Sequence, residues 1–148
     1  MSKLIYILNG PNLNRLGTRE PHIYGSETLE QVKQRCSDRA AALGLTIDFR
    51  QSNFEGAVVE SVHEAVDKEA AGIIINPAGL TFTSTSLMDA LKMFSGPRVE
   101  LHITNVHARD AVYHNSLISK VATAVVAGMG TDGYIHALDW MAARTAKA

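Results

Sequence analysis

A single cysteine, Cys36, stands among 148 residues, which excludes an internal disulfide framework and a metal site built from cysteine alone. Its place in a stretch of helical apolar spacing reads as a buried structural thiol. Excess charge of either sign is also lacking. Fourteen Lys+Arg against fifteen Asp+Glu leave a net charge of -1, which argues against binding nucleic acid through an overall basic field. No apolar run approaches the ~20 residues of a membrane span. The five apolar or aromatic residues after Met1-Ser2-Lys3 are too few for a secretory core. No linker or low-complexity stretch divides the chain. The expectation is one soluble, cytoplasmic domain over residues 1–148, with neither membrane nor nucleic acid as partner.

What is present alternates between strand and helix patterns. Leu4-Ile-Tyr-Ile-Leu8, closed by Asn9-Gly10-Pro11, reads as a buried strand ending in a turn. Thr28-x-x-Gln31 has the form of a capping box before Leu29, Val32, Cys36 and Leu43, and Gly44 suits the position after the helix. Leu45 to Arg50 alternates like a strand. Val58, Val59, Val62 and Val66 mark a helix released at Gly72. Ile73-Ile74-Ile75 is the third strand, and a Ser/Thr-rich turn leads to a helix carrying Leu87, Ala90, Leu91 and Phe94, stopped by Gly96-Pro97. Val99 to Ile103 and Ala124 to Ala127 are strands, and Tyr134 to Ala146 is the closing helix. Five strands separated by helices predict an α/β fold, a flavodoxin-like, doubly wound, five-stranded parallel sheet.

In such sheets ligands bind beyond the carboxyl ends of the strands. The segments found there carry chemistry. Asn9 to Asn12 follows the first strand, then a stretch to Ser26 that exceeds the usual loop of about 2–6 residues and suits either a lid or an ordinary surface loop. Asn76-Pro-Ala-Gly79 follows the third strand. The fourth bears Glu100 and His102, then Thr104, Asn105, His107 and Arg109. Two other patterns carry less. Gly128-x-Gly130-x-x-Gly133 matches a dinucleotide fingerprint, but no second strand with a ribose-binding acid follows, so the glycines read as turn residues. His102, His107 and His114 fit no zinc spacing, and no metal is expected.

Three long motifs then resemble one family. Asn9-Gly-Pro-Asn-Leu-Asn-Arg-Leu-Gly-Thr-Arg-Glu-Pro21 with Tyr24-Gly25, Asn76-Pro-Ala-Gly-Leu-Thr81 with Thr83-Ser84 and Asp89, and Glu100-Leu-His-Ile-Thr-Asn-Val-His-Ala-Arg109 are similar to the type II 3-dehydroquinate dehydratases, in order and spacing. The resemblance implies a dodecamer, a tetramer of trimers, that removes water from 3-dehydroquinate by anti elimination through an enolate, without cofactor or metal. Its ligand would be a small cyclic hydroxy keto acid.

The resemblance also assigns roles that chemistry makes intelligible. Removing a proton beside a ketone needs a base, and Tyr24 is the candidate. An ordinary tyrosine ionises near pH ~10, so a phenolate at neutral pH needs nearby cations, which Arg19 and Arg109 supply. A depression of two units requires about 2.7 kcal/mol of differential interaction. His102 suits the general acid that protonates the departing hydroxyl, and Glu100, on the same strand face, orients it. Asn12 resembles the residue holding a water against the enolate oxygen. Asn76 and the backbone N–H groups of Ile103 and Thr104 resemble the carboxylate-binding set. Asp89 resembles a residue that crosses the trimer interface into a neighbouring site.

Two substrate-facing positions depart from the family's pattern: Phe82 replaces a histidine and Tyr113 an arginine. Phe82 neither donates nor accepts a hydrogen bond, and Tyr113 lacks the cationic fork. They leave two alternatives beside the main reading: a relative that dehydrates another β-hydroxy ketone carboxylate, and a non-catalytic oligomeric binding protein.

Overall fold

The computed structural model describes residues 2–18 and 20–146; Arg19 and the Tyr24 side chain lie outside the described residues. Five parallel strands form one sheet: β1 (Lys3–Asn9), β2 (Leu45–Gln51), β3 (Gly72–Asn76), β4 (Arg98–His102) and β5 (Ala124–Ala127), in the order β2-β1-β3-β4-β5. β1 registers with both neighbours, Asn9 lying beside Gln51 on one side and Asn76 on the other. The helices are α1 (Pro21–Tyr24), α2 (Leu29–Ala42), α3 (Glu55–Asp67), α4 (Thr85–Lys92) and α5 (Asp132–Thr145). No helix among the described residues is long and apolar enough to cross a membrane.

Strand periodicity builds a core on each face of the sheet. Ile5 and Ile7 point to the side packed by α2 and α5, through Val32, Cys36, Tyr134, Leu138 and Met141. Tyr6, Leu8, Ile73 and Ile75 include the opposite set, packed by α3 and α4 through Val58, Val62, Leu87 and Leu91. Burying each such aliphatic side chain stabilises by about 1.5–3 kcal/mol. Both faces are covered, which is why the central strands read as continuous apolar runs instead of alternating ones.

The local signals act as expected at several joints. Both halves of the Thr28/Gln31 capping box form, and Gly44 takes a positive φ after α2. Gly128 and Gly130 also have positive φ, in the turn between β5 and α5, so they serve the backbone there. The ends of two helices differ. α3 stops at Asp67, with Glu69 in the left-handed region (φ 52), and Gly72 already belongs to β3. α4 stops at Lys92, so Phe94 is buried from the following turn and not from the helix.

The strand order reverses direction between β1 and β3, and a crevice opens there beyond the strand ends. Gly10 lets its two sides approach: its N–H donates to the Asn76 carbonyl at 2.8 Å, and a Cβ on it would meet the Pro77 carbonyl oxygen at 2.4 Å.

Candidate active site

A cavity of about 230 Å³ occupies this crevice. Asn12, Asn76, Phe82, His102, Ile103, Thr104, Arg109 and Tyr113 all line it, so eight residues singled out in the sequence converge from the ends of three strands. Asn12 sits in the left-handed region (φ 72), with its backbone N–H donated to Asn53 Oδ1 at 2.9 Å. Pro11, Leu13, Ala78 and Val106 supply apolar wall.

His102 and Glu100 are the buried ionisable pair of this site. Residues two apart on a strand share a face, and His102 Nε2 lies 2.5 Å from Glu100 Oε2, with the two residues 5% and 1% exposed. Ser116 Oγ donates to Glu100 Oε2 at 2.9 Å, and Ser119 Oγ donates to Oε1. Burial alone pushes the carboxyl pKa up, but these donors from His102, Ser119 and Ser116 outweigh it and hold Glu100 below its ordinary value. The result is a fixed anion behind an imidazole that faces the cavity.

Asn76 is oriented by a second buried network. Its Nδ2 donates to Tyr134 Oη at 3.1 Å, and Tyr134 Oη donates to Asn9 Oδ1 at 2.6 Å. Asn9 Nδ2 continues to the Arg50 carbonyl at 2.9 Å. Asn76 Oδ1 accepts from the Ala78 N–H at 3.3 Å. Burial pushes the Tyr134 phenol above its ordinary pKa, so it remains a neutral hydrogen-bonding group.

The family model described as dehydroquinase class II matches residues 3–142. A 3-dehydroquinate dehydratase of Bartonella henselae is 51% identical over 144 residues, covering 97% of each chain. One from Acidovorax ebreus is 51% identical over 146 residues, covering 96% of this chain and 99% of its own. The chain belongs to the class II dehydroquinases. The crystal structure of the type II dehydroquinase from Propionibacterium acnes superposes with a TM-score of 0.93 at 40% identity, covering 97% of this chain and 98% of that one.

In this dehydroquinase chain some expected site residues stand apart from the cavity. Asp89 lies on the exposed side of α4 and pairs with Lys92 at 3.6 Å. Tyr24 ends the short helix α1, but its side chain and Arg19 are the expectations that fall outside the described residues. Other contributors escaped the sequence reading. Ser116 and Ser119 reach Glu100 from 16 and 19 residues away, and their only signal is a serine pair three apart in an irregular segment. Tyr134 reads as a core residue at the start of a helix, although it joins Asn9 to Asn76. The names of the relatives lend support to neither alternative, the related substrate or the non-catalytic assembly.

Proposed function

We propose that this chain is a type II 3-dehydroquinate dehydratase, a hydro-lyase that converts 3-dehydroquinate to 3-dehydroshikimate in the shikimate pathway. The observation that carries the mechanistic reading is His102, buried, hydrogen-bonded to Glu100 at 2.5 Å and facing the cavity shared by Asn12 and Asn76. In this scheme Tyr24, as phenolate, takes the proton from the carbon beside the ketone. The electron pair moves into the carbonyl and forms an enolate, which Asn12 stabilises through a water. The enolate then collapses, its carbon–oxygen bond to the departing hydroxyl breaks, and His102 protonates that oxygen so that it leaves as water. Arg19 and Arg109 favour the phenolate, while Asn76 and the backbone of Ile103 and Thr104 hold the substrate carboxylate.

The reaction in this scheme uses neither metal nor cofactor, so a chelator leaves turnover unchanged. The direct test is the rise in ultraviolet absorbance of the conjugated enone when protein meets 3-dehydroquinate. Tyr24→Phe, which removes only a hydroxyl, is expected to abolish that rise, and unimpaired turnover in the variant would end the base assignment.

Assembly and location belong to the same proposal. The enzyme works in the cytoplasm as a dodecamer, a tetramer of trimers, with Asp89 reaching a neighbouring subunit's site. The 65% exposure of the Asp89 side chain supports a role outside its own cavity. Sedimentation of a fully active monomer would contradict it.

A further inference from the structure

The two positions that depart from the family's pattern touch each other. Phe82 ends the 3₁₀ turn Ala78–Phe82, and Tyr113 ends the 3₁₀ turn Ala111–Tyr113. Their rings meet edge to face, with centroids 5.5 Å apart at 74°. Phe82 also lies near-parallel to the His102 ring, at 6.3 Å and 23°. Above Tyr113, the Arg109 guanidinium carbon sits 4.0 Å from the ring centroid. The wall is therefore one continuous stack from His102 through Phe82 and Tyr113 to Arg109.

The backbone fixes both ends of the stack. Leu117 N–H donates to the Thr81 carbonyl at 2.9 Å, tying the segment that carries Tyr113 to the turn that carries Phe82. His114 Nε2 bonds the Arg109 carbonyl at 2.7 Å. Arg109 is thus held at its main chain by His114 and at its head by the face of Tyr113. A guanidinium is attracted to the negative face of an aromatic ring, and its planarity suits stacking. Stacking narrows the rotamers open to a long cationic side chain, so a platform lowers the entropy lost when the charge is used.

We propose that Tyr113 is a positioning residue that holds the Arg109 guanidinium at the cavity wall, with Phe82 as the backstop that holds Tyr113. This inference rests on the proposed role of Arg109 in dehydroquinate turnover. It also recasts the two departures: they form a coupled unit, not two separate losses of hydrogen-bonding capacity.

Two readouts test it. The first is independent of activity: ring-current shifts of the Arg109 side-chain NMR resonances, assigned by Arg109→Lys. They should be present in the wild type, kept in Tyr113→Phe, lost in Tyr113→Leu and reduced in Phe82→Leu. The second is kcat/KM on 3-dehydroquinate, expected to fall about tenfold in Tyr113→Leu, the change a loosened cation–π contact of ordinary strength gives. Tyr113→Phe should recover most of that loss. Arg109 shifts that persist in Tyr113→Leu would overturn the proposal, as would shifts that vanish with no change in kcat/KM. Phe82→Leu decides the matter if Tyr113→Leu fails to fold. A wild type inactive on 3-dehydroquinate would defeat the assigned function, while the NMR arm would still judge the stack.

Discussion

Replacing Glu100 with glutamine should damage both stability and turnover, and the stability loss should depend on pH with a definite sign. The carboxylate is 1% exposed and accepts from His102, Ser116 and Ser119. Hydrogen bonds to a charged group are worth about 1.5–3 kcal/mol each, against about 0.5–1.5 kcal/mol for neutral pairs. Neutralising the acceptor of three such bonds removes about 3 kcal/mol, and relief from burying a charge returns part of it. A net loss of about 2 kcal/mol lowers Tm by about 4–8 °C in a chain of this size.

Glu100 is held below its ordinary pKa of 4.5, so its ionised form contributes fully above that value. The contribution disappears as pH falls through the depressed, folded-state pKa. Calorimetry should therefore find wild type and Glu100→Gln far apart at pH ~7 and converging below pH ~4. In the enone assay the same variant should lose about 10²-fold in kcat, the lower end of what a positioned general acid contributes. A stability gap that is flat across this pH range, or turnover that survives the change, would refute the idea that the buried charge organises His102.

Two further perturbations probe the scaffold. Gly10→Ala places a Cβ 2.4 Å from the Pro77 carbonyl oxygen, a backbone atom that cannot swing aside. Such overpacking costs about 1–3 kcal/mol, and prising apart the loops that carry Asn12 and Asn76 should lower kcat/KM by about 10²-fold; an active, equally stable variant would show that the close approach is dispensable. Burial pushes the Cys36 thiol up to about 12, so a disulfide reagent at pH 8 should label it only as fast as the protein unfolds, and rapid labelling of native protein would contradict its core position.

The sheet was legible because parallel strands buried on both faces leave uninterrupted apolar runs, such as Leu4 to Leu8 and Ile73 to Ile75. The start of α2 was legible because a side chain caps it at Thr28, whereas the Ser84 cap of α4 was hidden in a Ser/Thr-rich turn. Helix ends were less legible. Glu69 adopts a left-handed conformation that its residue type does not advertise, and the nearest conspicuous glycine, Gly72, was already in a strand. Strand order carries no periodic signature at all. Consequently the link from Asn9 through Tyr134 to Asn76, which joins three elements distant in sequence, could not be read from spacing. The same holds for the contact between the Phe82 and Tyr113 rings, which only the fold brings together.

The stretch between β4 and β5 explains why so much of the site was hidden and also why it works. It contains no regular strand or α-helix, only the short turns Val106–Ala108, Ala111–Tyr113 and Ile118–Lys120. Yet it leaves β4 at the cavity floor, presents Ile103, Thr104, Arg109 and Tyr113 to the cavity, and returns with Ser116 and Ser119 against Glu100. Irregular backbone can hold such positions only if it is anchored, and here buried apolar residues do so, beginning with Ile103 in the core beneath α2 and α5. Val106 is 7% exposed, and Ile118 is fully buried in the core beneath α3 and α4. His102 is thereby braced indirectly by this segment, whose Ser116 and Ser119 hold Glu100 behind it and whose Tyr113 meets the Phe82 ring beside it. The strand sets where the imidazole sits, and the segment after it steadies the two groups the imidazole meets, Glu100 and Phe82.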